Sequence, residues 1–211
     1  MDSGARNQMN VRRKAVWGSG IRLTLVTLIA LLSTSCGDMV RQGTGSSYLI
    51  IESVLVASGA EPDNLVGNLL SDVITFVNDQ PTFFNDVGQV TFRLGMKDPA
   101  LETSPTQANW ITVNRYRVRY IRTDGRNTPG VDVPHGFDGA FTVTVANTAS
   151  MGFEMVRHSA KLEAPLRALR VNGIIIQTIA EVTFYGHDQA GREVSATAKV
   201  LVDFGDFADP D

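Results

Sequence analysis

Apolar and polar residues alternate through most of the chain after residue 47, with the two-residue period of half-buried strands. The alternation predicts strands over residues 48–57, 73–77, 87–96, 111–122, 139–146, 174–185 and 193–204, with a shorter candidate at 153–157. Val90, Phe92, Leu94 and Met96 share one face of their strand, as do Tyr116, Val118 and Tyr120, and Phe141, Val143 and Val145. Clusters of Gly, Pro, Asn and Asp separate the runs. Seven to eight such strands predict an all-β chain folded as a two-sheet sandwich. One short helix breaks the pattern. Pro165 suits a first helical turn, Leu166 and Leu169 then face inward, and Asn172-Gly173 ends the run, so this helix is expected to cross between the sheets. Residues 187–192 (HDQAGR) join two strongly alternating strands and read as a hairpin tip.

That terminal hairpin with a small helix before it, roughly residues 160–205, resembles the last strand pair of bacterial immunoglobulin-like domains. The resemblance implies an immunoglobulin-like sandwich. No internal repeat is visible.

The N-terminus has a different pattern. Basic residues Arg12, Arg13, Lys14 and Arg22 precede an apolar run, residues 23–32 (LTLVTLIALL); Ser33, Thr34 and Ser35 follow, then Cys36 and Gly37. The apolar run is about half the ~20 residues a spanning helix needs, which makes it a secretory signal. The whole resembles a bacterial lipoprotein signal peptide, with Ser33 at the position where that family usually has Leu. The resemblance implies that Ser35 is the last residue removed and Cys36 the site of lipid attachment by the lipoprotein-processing machinery. The resemblance also implies the outer membrane, because Gly37 and not an Asp directly follows the cysteine, Asp38 being one further on. Ordinary secretion with an unpaired thiol and an uncleaved N-terminal anchor are the alternatives; an orphan cysteine in an oxidising compartment argues against the first. Met1 and Met9 both remain open as the start. The domain map is then signal peptide 1–35, lipidated cysteine and Gly/Ser-rich tether 36–46, sandwich 47–207 and acidic tail 208–211.

Composition narrows the function classes. The chain carries a formal charge of −3, and residues 1–35 hold five basic residues and one acid, so the remaining 176 residues carry −7. A domain so acidic is not expected to bind nucleic acid, or to lie on anionic lipid by charge alone. With Cys36 the only cysteine, disulfides and thiolate metal sites are excluded.

Motifs of catalysis are missing: there is no GxSxG, HExxH, SxxK or phosphate loop, so the chain reads as a non-enzyme without a cofactor. His135, His158 and His187 lack metal-ligand spacing. Asp124, Asn127, Asp132 and Asp138 in or beside the loop 123–136 offer hard oxygens, though not in the spacing of a calcium-binding EF-hand loop. Asp203, Asp206, Asp209 and Asp211 read as a solvated acidic end. The most patterned surface feature is RYRVRY: Arg115, Arg117 and Arg119 fall on the face opposite Tyr116, Val118 and Tyr120. This basic ladder is either a surface for a partner's carboxylates or a soluble outer face balanced by cross-strand acids. The long loops 98–109 and 123–136 are candidates for one shared binding end. The functional expectation is a membrane-anchored envelope lipoprotein with a binding or scaffolding sandwich that meets an envelope protein partner. The alternative is a ligand-binding accessory lipoprotein of a transport system.

Overall fold

The computed structural model describes residues 45–98, 100 and 105–207. Ser35, Cys36, residues 37–44 of the tether and the tail 208–211 lie outside them.

The domain is an all-β sandwich. One sheet holds β1 (Ser47–Ala57), β5 (Asp86–Met96) and β8 (Thr148–Val156) in the order β1-β5-β8. The other holds β2 (Asn68–Asp72), β6 (Ile111–Ile121), β7 (Phe137–Val145), β9 (Ile176–Asp188) and β10 (Glu193–Gly205) in the order β2-β10-β9-β6-β7. All pairings in these sheets are antiparallel except β2 with β10. The chain switches sheets after β1, so β2 forms the far edge of the sheet opposite β1. That strand order is immunoglobulin-like.

The inner faces are those the alternation marks. Val90 and Phe92 of β5, Val118 of β6 and Phe184 of β9 are fully buried, and the Phe92 and Phe184 rings meet edge to face at 5.1 Å across the two layers. Tyr116 and Tyr120 point inward as expected, and Phe141 and Val143 are half-buried beside them. A bulge at Asn114 shifts the register between Val113 and Arg115. It allows Ile111 and Val113 before it, and Tyr116 and Val118 after it, to face the same core despite their mismatched parity.

Two strand expectations are corrected. The single strand expected over 73–77 is broken: β2 ends at Asp72, and a small hairpin of β3 (Thr75–Val77) and β4 (Gln80–Thr82) follows. Its two-residue loop, Asn78-Asp79, has positive φ at both positions (52° and 59°), the backbone of a type I′ turn, and Asn and Asp tolerate it best after glycine. The strand expected over 153–157 is longer, beginning at Thr148 where Ala149 and Met151 pack on the core. The expected short helical crossover between the sheets is present. A single α-helical turn, α1 (His158–Lys161), precedes a 3-10 turn at Leu166–Val171 that buries Leu166 and Leu169 as expected.

The candidate loops 98–109 and 123–136 do not share an end. They flank β6 on opposite sides, so its eleven residues, ~35 Å of strand, separate them. The reason is topological: the first loop leads into β6 and the second leads out. The end where the chain joins β1 is here termed proximal; Ser46 and Ser47 bond there to Asn109, and Gln189 of the β9–β10 turn bonds to the Trp110 carbonyl. The distal end gathers the loop 123–136, the β3–β4 hairpin and the α1 crossover.

Candidate functional site

On the outer face of the five-stranded sheet the three arginines project to solvent, as their alternation requires. Each meets a neighbour across the strands. Arg117 makes a bidentate pair with Asp138, Nε to Oδ1 at 3.0 Å and Nη2 to Oδ2 at 2.9 Å. Arg119 reaches Glu181 at 3.4 Å, in a row that continues to Lys199. The Arg115 guanidinium lies 4.3 Å over the Tyr185 ring. The Arg117 hydrogen bonds and charge hold the Asp138 carboxyl below its ordinary range. The ladder is thus largely neutralised within its own sheet, and Arg115 alone has no carboxylate partner among the described residues.

The sandwich is open along one long side, where β7 and β8 are the outermost strands of their sheets. An open groove of about 630 Å³ runs between them, floored by Tyr116, Phe141 and Phe153. Tyr116 stacks on Phe141 at 5.7 Å and meets Phe153 edge-on at 5.3 Å. Glycine is required here for space: a Cβ at Gly139 would run into the Tyr116 ring, and one at Gly88 into Phe153.

The unpaired edge of β8 is closed from beneath by two tyrosines of the opposite sheet. The Glu154 N–H donates to Tyr116 Oη at 3.2 Å. The β5–β8 pairing passes from Asp86 with Val156 to Val87 with Glu154, skipping Met155. The carbonyl of Met155, the residue this bulge skips, accepts the buried Tyr120 hydroxyl at 2.7 Å. Burial pushes the Tyr120 hydroxyl well above its ordinary pKa. Arg157 completes the closure: it lies 4.1 Å over Phe137, donates to Glu154 at 3.1 Å and donates to the Asp138 carbonyl of β7 at 2.9 Å. The charged groups at the groove rim therefore bond to each other rather than converge on its interior.

The remaining candidates separate. The oxygens of the loop 123–136 are each taken by donors: Asp124 by Arg122 and Arg126, Asn127 by the Arg122 N–H, Asp132 by the Thr128 N–H. Arg122 and then Arg126 hold the Asp124 carboxyl well below its ordinary range. Among the described residues no group of three His, Asp, Glu or Cys side chains is placed to hold a metal ion. His158 uses its N–H and Nδ1 on Asn85 Oδ1, at 2.7 and 2.9 Å, as part of the α1 junction. Asp209 and Asp211 lie outside the described residues.

Two features escaped the sequence reading. The first is the distribution of exposed apolar side chains. Of the eleven large ones exposed among the described residues, ten lie in the distal half, Leu70 and Leu201 of them within strands, and only Tyr48 lies at the proximal end. Val171, 90% exposed, heads the run 171–175 with Ile174 and Ile175; Val77 ends β3 and Val131 lies in the loop 123–136. Val131, Leu162 and Val171 lie outside the strands, so no period-2 signal marks them. The second is the pair of Asp86 and Lys161, buried together between β5 and α1 although 75 residues apart.

Compared with known proteins, the chain matches no family model and no curated protein.

Proposed function

We propose that the chain is a cell-envelope lipoprotein, held to a bacterial membrane through lipid on Cys36, whose sandwich is a non-catalytic binding or scaffolding module. The charge, apolar run, small residues and cysteine of residues 12–37 support the anchor. Two or more acyl chains at about 0.8 kcal/mol per buried methylene make such attachment stable. The outer membrane is the favoured site.

One observation carries the binding role: exposed apolar side chains concentrate at the end of the domain away from the tether. That end lies roughly 40 Å from the end where the chain enters β1, along thirteen-residue strands. Exposed apolar clusters of this kind serve protein contacts. The partner is an envelope protein meeting Val171, Ile174 and Ile175. Delivery of a small solute is less favoured, because the rim charges of the open groove are paired with each other.

The test is cross-linking in intact cells followed by capture from gently solubilised membranes. The expected result is a defined partner that is lost when Val171, Ile174 and Ile175 are all replaced by Ser. Retention of the partner by that variant removes the distal-end reading, and recovery of the protein alone removes the binding role. Cys36→Ser is expected to release the protein from membranes; an unchanged membrane fraction defeats the anchor.

A further inference from the structure

The Asp86–Lys161 pair is unusual in its bonding. Lys161 is 1% exposed and Asp86 is fully buried, and Lys161 Nζ lies 2.9 Å from Asp86 Oδ1. The carboxyl is richly served: the Gly59 N–H also donates to Oδ1 at 2.9 Å, and Ser71 Oγ donates to Oδ2 at 2.6 Å. The ammonium is not. It carries three protons, and Asp86 Oδ1 is its single acceptor among the described residues. A buried ammonium with two N–H bonds unpaired by protein is costly. An amide nitrogen at the same place keeps one proton and no charge.

We propose that Lys161 and Asp86 condense to an intramolecular amide, a covalent clamp between α1 and β5. The step is balanced without a co-reactant. A proton passes from the ammonium to the carboxylate, the neutral Nζ attacks Cγ, and the Nζ–Cγ bond forms as one Cγ–O bond breaks. Two of the three ammonium protons depart with that oxygen as water. The Gly59 N–H and the Ser71 hydroxyl are positioning donors that polarise the carboxyl and stabilise charge developing on its oxygens. The buried site holds the two groups in contact and excludes the bulk water that would favour hydrolysis. The carboxyl is disposed to take up the proton, because desolvation by burial raises its pKa against the opposing pull of Lys161 and the two other donors. The clamp would close the 75-residue span holding β6, β7 and β8, and would make the distal half of the domain resistant to forced opening. It is independent of the partner proposed above.

Tryptic digestion of the denatured full-length chain decides the matter by mass spectrometry. No Lys or Arg lies between Arg41 and Arg93, so Asp86 falls on peptide 42–93, and an acylated Lys161 blocks cleavage inside HSAKLEAPLR, residues 158–167. The expected product is peptide 42–93 joined to peptide 158–167, lighter than their sum by one water. Release of HSAK (158–161) together with unmodified 42–93 shows a non-covalent ion pair and overturns the proposal. Lys161→Arg, which keeps the cation but cannot form this amide, is expected to release both peptides. A joined product in that variant would also overturn it.

Discussion

Removing one hydroxyl tests how the open side of the sandwich is held. Tyr120→Phe keeps the ring, which meets Phe204 edge-on at 5.4 Å, and deletes only the Oη that donates to the Met155 carbonyl at 2.7 Å. Met155 is skipped in the β5–β8 register and is fully buried, and Tyr120 is 3% exposed, so the lost bond is not replaced from solvent. An acceptor stranded in this way costs about 1–3 kcal/mol. For a domain of this size the thermal midpoint falls by roughly 2–4 °C per kcal/mol, hence by roughly 2–12 °C. The assay is urea and thermal unfolding of wild type, Tyr120→Phe and Tyr116→Phe. The Tyr116 hydroxyl lines the open groove, where water can serve the Glu154 N–H in its place, so Tyr116→Phe is expected to cost less. The pH dependence adds a second reading. The native hydroxyl keeps its proton above the ordinary value of 10, where the unfolded chain loses it, so wild-type stability falls as pH rises past 10. The Phe variant lacks that loss, and the gap between them narrows in alkali. A cost below about 0.5 kcal/mol for Tyr120→Phe, or a larger one for Tyr116→Phe, would refute the stapling argument.

Other outcomes follow from single contacts. Gly139→Ala is expected to cost about 1–3 kcal/mol in urea unfolding, because its Cβ collides with the Tyr116 ring and the stacked floor must shift. Asp188→Ala is expected to cost about 1–2 kcal/mol, since this carboxylate accepts the N–H groups of Ala190 and Arg192 and the Arg192 guanidinium at the β9–β10 turn. Burial raises its pKa, but those donors together outweigh burial and depress it, so its contribution is present above the ordinary value of 3.8 and is lost as pH falls through the native value. Acid titration of wild type against the Ala variant reads this directly. Arg115→Ala, monitored by the same unfolding and by partner capture, is expected to leave both unchanged, because its guanidinium rests on Tyr185 at the solvated face.

Strand positions and their buried faces were legible because they depend on a local period of two: Val90, Phe92 and Leu94, or Tyr116, Val118 and Tyr120, face the core wherever their strand pairs. Leu166 and Leu169 were legible for a similar reason, lying three residues apart in a helical turn. The anchor proposed at Cys36 rests on a linear pattern, which no tertiary contact is needed to suggest. Pairing across the fold was not legible. The bulges at Asn114 and Met155 arise from fitting two strands to a twisted sheet, and only then does the Met155 carbonyl become available to Tyr120. Chain closure likewise set the long loops at opposite ends of β6 and brought Lys161 to Asp86 across 75 residues. A sequence states which face each strand buries; it does not state which distant groups that burial will bring together.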